Sequence, residues 1–206
     1  MTDGMVAATE PPATPDAGEA SGLFAGAVPY YLRYRPRYPD ALFAELVERC
    51  DLSRGKRVLD LGCGPGFLAV PLAALGAEVI AVDPQREMLS AGRAEAEALG
   101  CGNITWIEST AEDLSPDLPP VCCATLGNSF HWMRRGAVLS LLDRLVEPRG
   151  AVVVVEERLA DGIAWRRALG DHVREWHGKA DAARAFNARR DNDRPHEEVL
   201  SASPFS

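Results

Sequence analysis

The sequence contains no apolar run approaching the roughly eighteen residues a membrane-spanning helix needs, so none is expected. The first twenty residues hold acids, prolines and alanines without the apolar centre of a secretory signal. Cysteine is scarce and odd in number: Cys50, Cys63, Cys101, Cys122 and Cys123. None shares a CxxC or Cys/His spacing, so no metal is expected. Cys63, Cys122 and Cys123 stand in apolar runs and read as small buried hydrophobes. The expectation is a reduced, cytoplasmic protein. Positive charge is also short, with 22 basic residues against 30 acidic ones and a net charge of −8. That balance repels phosphate backbones and anionic bilayers, so neither nucleic acid nor membrane is an expected partner. One local exception is the run Arg33, Arg35, Arg37.

What is present fits one domain: 206 residues with 47% hydrophobic and 25% charged content can bury a real core. Residues 1–21 are polar, Pro/Ala-rich and aperiodic, and are expected to form a disordered tail ahead of a domain over 22–206. The aromatic and basic stretch 30–39 holds Pro36 and Pro39 and reads as turns and extended backbone. Asp40 is expected to cap a helix over 41–50. Strands and helices then alternate. Strands are predicted at 57–61, 78–82, 104–107, 121–126 and 151–155, with helices at 67–75, 85–99 and 135–146. Gly76 reads as a left-handed helix cap, and 147–150 as a turn. Such alternation predicts an α/β, Rossmann-like, doubly wound and mostly parallel sheet with helices on both faces. Beyond it, one or two helices are expected over 163–188 and a short one over 196–202.

The sharpest motif is Val58-Leu59-Asp60-Leu61-Gly62-Cys63-Gly64-Pro65-Gly66, a strand that runs into three glycines at alternate positions. Bare main chain suits a tight turn and the close approach of a ligand beyond the strand's carboxyl end. A dinucleotide fingerprint would put its third glycine at position 67, where Phe67 stands. The acid just before the turn suits a ligand amine better than a pyrophosphate. Asp83 closes the second strand, where an acid can accept both ribose hydroxyls or cap the following helix. Glu112 and Asp113 follow the third strand, where loop acids are common.

Together with Val79-Ile80-Ala81-Val82-Asp83 and Ser109-Thr110-Ala111-Glu112-Asp113-Leu114, this motif resembles the class I S-adenosylmethionine-dependent methyltransferases, in particular the type 11-like group. The resemblance covers roughly residues 30–157. It implies S-adenosyl-L-methionine as cofactor, held at Asp60, Gly62, Cys63, Gly64, Gly66, Asp83, Pro84, Ala111, Glu112, Asp113 and Asn128. Asp60 would reach the methionine amine, Asp83 the ribose and Asp113 the adenine amino group. The arm at 30–38 resembles a partial lid, with Tyr34 and Arg35 toward the cofactor carboxylate. The expected activity is methyl transfer to a small-molecule acceptor.

Asn128-Ser129-Phe130-His131-Trp132 follows the fourth strand, at the same sheet edge. His131 is the candidate general base, since imidazole titrates near working pH; the competing reading is a packing role with Trp132. Glu156 and Glu157 end the fifth strand and either meet solvent or offer a carboxylate. His172 and His177 lie five apart and do not share a helical face, so they are not expected to bind metal together. Two departures stand out. Cys122 replaces an acid usual at the start of the fourth strand, and the two final strands of the family are expected to be missing. An open edge on the fifth strand offers a route to a homodimer. The alternatives are a cofactor-binding but inactive relative, and a nicotinamide enzyme, which Asp60 and Phe67 oppose.

Overall fold

The computed structural model describes residues 26, 28–52, 54–156 and 194–205. The expected tail over 1–21 and the helices over 163–188 lie outside the described residues, as do Glu157, His172 and His177.

Five strands form one parallel sheet: β1 Arg57–Leu61, β2 Glu78–Asp83, β3 Ile104–Glu108, β4 Val121–Gly127 and β5 Val146–Val155, in the order β3-β2-β1-β4-β5. The chain starts at the centre, steps outward to β3, then crosses back to β4. That reversal opens a crevice at the carboxyl ends of β1 and β4.

Side chains alternate across the strands and build two cores. On one face, Val58, Val79, Ala81 and Cys123 meet Phe43, Leu46, Leu72 and Leu89. These come from α2 Asp40–Arg49, α3 Ala69–Ala74 and α4 Arg86–Ala98. On the other, Leu59, Leu61, Ile80, Ala124 and Leu126 meet Val138, Leu139 and Leu142 of α5 Arg135–Leu145 and Val199 of α6 His196–Ser201. The doubly wound α/β architecture read from the alternation is therefore present.

Three local expectations are corrected. Residues Val28–Tyr34 form a helix, α1, instead of extended chain. The prolines act only after it, because Pro36 disfavours helical backbone at the residue before it. Pro39, not Asp40, occupies the N-cap of α2, and Asp40 is its first helical residue. The segment 147–150 lies within the span of β5, which leaves α5 directly; the turn is reduced to Arg149 at φ 71° and a register shift between Val121 and Cys123. Gly76 does end α3 with a left-handed φ of 100°. Cys122, at the position of the missing acid, is buried and donates its thiol to Arg57 O at 3.2 Å.

Candidate active site

The turn after β1 is built by glycine conformations. Gly62, Gly64 and Gly66 have φ of 65°, 54° and 79°, a region costly for any residue with a Cβ. Their surroundings differ. A Cβ on Gly62 would lie 2.5 Å from Ser129 Cβ, and one on Gly66 would lie 2.8 Å from the Trp106 ring. One on Gly64 would meet nothing within 4 Å. Two of the glycines thus admit neighbouring protein, and only Gly64 faces open space. Ser129 fastens the turn from the far side, donating to Leu61 O at 2.6 Å.

Asp83, at the carboxyl end of β2, reaches across to this turn. Its Oδ2 accepts from Gly64 N at 2.8 Å and its Oδ1 from Gln85 N at 2.9 Å. Each oxygen keeps a further lone pair for a ligand hydroxyl. Burial pushes its carboxyl above the ordinary range, while the two backbone donors work against that shift.

Asp60 lies inside the sheet, 1% exposed. The β1–β4 register sets it beside Thr125, whose Oγ1 donates to Oδ1 at 2.8 Å. Its Oδ2 is buried, and the Ala69 backbone N–H is directed at this carboxylate without closing to a short bond. Burial pushes this carboxyl up to about 7, against the donors from Thr125 and the Ala69 backbone. A buried carboxylate with so few close donors is costly to ionise, and an incoming ammonium would relieve it.

The remaining expected contacts surround this centre. Cys63 is buried behind the turn, its thiol pushed up by burial, and its N donates to Val82 O at 3.0 Å. Pro84 follows Asp83, half-buried. Ala111 is buried after β3. Asp113 accepts from Thr110 Oγ1 at 2.7 Å, and Glu112 Oε1 accepts from Arg134 N at 2.7 Å. Asn128 takes a left-handed φ of 51° and donates Nδ2 to Tyr38 Oη at 2.9 Å. Strained backbone of this kind gathers at functional sites.

Tyr34 is 67% exposed beneath the Arg33 guanidinium, and the Arg35 guanidinium lies 5.9 Å from the Tyr31 ring. Tyr31, whose ring lies 5.6 Å from that of Phe67, Arg37 and Tyr38 make inward contacts. Arg37 stacks 4.0 Å over Phe67 and pairs with Glu95 at 2.9 Å. Tyr38, its phenol pushed up to about 12 chiefly by burial, covers Gly127 and holds Asn128. The proline-bounded spacing around Tyr38 was the one signal of its inward turn.

Past β4, a single 3-10 turn, Phe130–Trp132, sets His131 at the sheet edge. One ligating atom each from His131, Glu156 and His196 lie within 4.8 Å of one another. His196 Nε2 is 2.6 Å from Glu156 Oε1, and its Nδ1 is 3.0 Å from Arg135 NH1. Sequence reasoning missed His196 and Arg135, because a 61-residue separation leaves no spacing to read.

With this geometry in view, likeness to known proteins is informative. Residues 58–150 match the model of the family described as Methyltransferase domain. An uncharacterized methyltransferase of Mycobacterium tuberculosis (strain ATCC 25618 / H37Rv) is 31% identical over 150 residues, covering 73% of this chain and 58% of that protein. The chain belongs to the class I S-adenosylmethionine-dependent methyltransferases. A ubiquinone biosynthesis O-methyltransferase of Proteus mirabilis (strain HI4320) is 33% identical over 109 residues, 51% of this chain and 43% of that protein. A magnesium protoporphyrin IX methyltransferase from Synechocystis, solved with bound SAH, shares the fold at TM-score 0.58 and 22% identity, covering 77% of this chain and 80% of that one. The chain spans 58% of the length of the first of these curated relatives and 43% of the second. S-adenosylmethionine is the cofactor of this methyltransferase domain. The residues present fit it: an open turn at Gly64, a carboxylate with lone pairs to spare at Asp83 and a buried acid at Asp60.

Proposed function

We propose that this chain transfers a methyl group from S-adenosylmethionine to a small-molecule acceptor, with His131 taking the acceptor's proton. The observation that carries the reading is the bond from Gly64 N to Asp83 Oδ2, which joins the two halves of a nucleoside cradle at one sheet edge.

When bound, the cofactor supplies an electrophilic methyl on a sulfonium sulfur. The chain's own residues do the rest. Asp60 receives the amine on its buried Oδ2, and Asp83 accepts the ribose hydroxyls on its remaining lone pairs. The Gly62–Gly66 turn with Cys63 backs the amino-acid portion, and Pro84, Ala111, Glu112 and Asp113 line the adenine side. Tyr34 and Arg35, on the arm, are the residues assigned to the carboxylate, and Asn128 borders the reacting centre. Most acceleration comes from holding acceptor and methyl in line. His131 removes the proton from a hydroxyl or amine that is a poor nucleophile while protonated.

The acidic balance of the chain supports a small molecule over nucleic acid as acceptor. No helix among the described residues is long and apolar enough to cross a membrane. The free thiols suit a reducing compartment such as the cytoplasm, and β5, last in the sheet order, is the edge through which two copies would pair.

The test is calorimetry of the purified chain with S-adenosylmethionine, S-adenosylhomocysteine and NAD, followed by methyl-donor turnover over a metabolite panel. Binding of the two adenosyl ligands without NAD is expected, with turnover that falls at least a hundredfold in His131→Ala while S-adenosylhomocysteine affinity holds. Binding of NAD alone would overturn the cofactor reading, and unchanged turnover in His131→Ala would remove the base.

A further inference from the structure

The His131, Glu156 and His196 grouping has the ligand types of an open divalent-cation site. The hydrogen bonds around it point elsewhere. Arg135 is a permanent cation and only a donor, so its NH1 at 3.0 Å makes His196 Nδ1 the acceptor. The ring hydrogen therefore sits on Nε2 and is donated to Glu156 Oε1 at 2.6 Å. Ligation through Nε2 would force that hydrogen onto Nδ1, against the guanidinium. A metal-bound histidine normally donates its other nitrogen to an acceptor, the reverse of this arrangement. The positive charge at this centre is already supplied by protein.

Arg135 itself is incompletely used. It opens α5, four positions after His131, and is 1% exposed. NH1 donates to Arg194 O at 2.8 Å and meets His196, yet Nε and NH2 are buried without any partner. No carboxylate of the described residues pairs with it. Through His196 its charge is balanced by Glu156, but two parallel N–H groups stay unmet. Buried donors are nearly always satisfied, and those of a guanidinium carry the largest cost. The Nε–NH2 edge is the side of arginine that matches the two oxygens of a carboxylate.

We propose that this edge of Arg135 receives a carboxylate of the methyl acceptor, which makes the substrate class a small carboxylic acid. The inference rests on the proposed methyl-transfer reading and narrows it. His196 is shared: one face of the cluster carries Arg135, the other Glu156 and His131. An acid anchored at the guanidinium would present its nucleophilic atom a short span away, beside the base. A monoanion is favoured over a phosphate, because a second negative charge would stand uncompensated near Glu156. The edge is buried among protein, so a carboxylate bound there would make its charge-assisted bonds out of water, where they are strongest.

The experiment titrates the full chain, saturated with S-adenosylhomocysteine, with matched pairs: benzoate and benzamide, 4-hydroxybenzoate and 4-hydroxybenzamide, hexanoate and hexanamide. In at least one pair the acid is expected to bind roughly tenfold more tightly than its amide. Arg135→Met abolishes that preference, and Arg135→Lys, a point charge without the fork, retains part of it. Equal affinities in every pair, or a preference that survives Arg135→Met, would overturn the proposal. So would tighter binding of phenyl phosphate than benzoate, or stoichiometric Zn²⁺ binding lost in both His131→Ala and His196→Ala. If Arg135→Met does not fold, the wild-type pairs and Arg135→Lys decide. S-adenosylhomocysteine heat is read in the same cells, so loss of the cofactor reading shows separately from loss of the acid preference.

Discussion

Thr125 Oγ1 donates to Asp60 Oδ1 at 2.8 Å, while the other oxygen of the same carboxylate is buried without a short hydrogen bond. Burial holds this carboxyl near 7, so much of it is protonated in the empty protein at neutral pH. A ligand ammonium needs the ionised form. S-adenosylhomocysteine affinity is therefore expected to rise from pH 5 toward pH 7 by up to about tenfold per unit, and to flatten above it. Asp60→Asn should bind weakly with little such slope. Calorimetry across pH 5–8 checks both, and a flat wild-type profile would remove Asp60 from the amine site.

The same group makes a stability prediction of opposite sign. Because its folded value lies above the ordinary 3.8, the folded state holds a proton that the unfolded chain has released. Stability of the ligand-free protein should fall as pH rises from about 4 to about 7, by on the order of 4 kcal/mol from this group alone. Asp60→Asn should lack that component. Thermal melts of both proteins at matched pH values read the difference.

Gly62 and Gly64 separate packing from ligand space. Alanine at Gly62 meets Ser129 Cβ at 2.5 Å and needs a φ of 65°, so Gly62→Ala should destabilise by several kcal/mol. Alanine at Gly64 meets no protein atom within 4 Å, so Gly64→Ala should cost only about 1–2 kcal/mol of backbone strain. Its methyl group would instead occupy the cofactor's side of the turn. Gly64→Ala is expected to fold yet lose S-adenosylhomocysteine binding at least tenfold. Retained affinity in a folded Gly64→Ala protein would show that the open space is not the cofactor's.

The central features were legible because they are local. The strand feeding three glycines fixed β1 and its turn, and Asp83 was placed by ending an apolar strand. The two-faced core followed from strands buried on both faces, such as Val58–Leu61, alternating with helices. What escaped depended on contacts far apart in the chain. Ser129 clamps Gly62 across 67 positions, and His196 joins Arg135 across 61. The arm failed for another reason: aromatic and basic residues at 30–38 fit either a helix or an extended cover, and only packing against Phe67 decides which turn inward. The composition likewise gave no sign that Cys50 and Cys123 would meet.

Cys50 and Cys123 lie with their sulfurs 3.5 Å apart, joining the end of α2 to β4 beneath the site. The Cys123 thiol donates to Cys50, which lowers Cys50 to about 7, while the same contact and burial drive Cys123 up. Thiolate, not thiol, is the nucleophile, and a free cysteine ionises near 8.5. Cys50 is half-buried and Cys123 fully enclosed, so one-site alkylation by iodoacetamide should follow Cys50 and reach half its maximal rate near pH 7. Cys123→Ser keeps a donor and should preserve much of the depression. Cys123→Ala removes the donor and should move the midpoint up by one to two pH units, toward the free value. Mass spectrometry of the modified peptide identifies the site. An unchanged midpoint in Cys123→Ala would show that the contact does not tune Cys50, and that its ionisation is set by α2 and solvent alone.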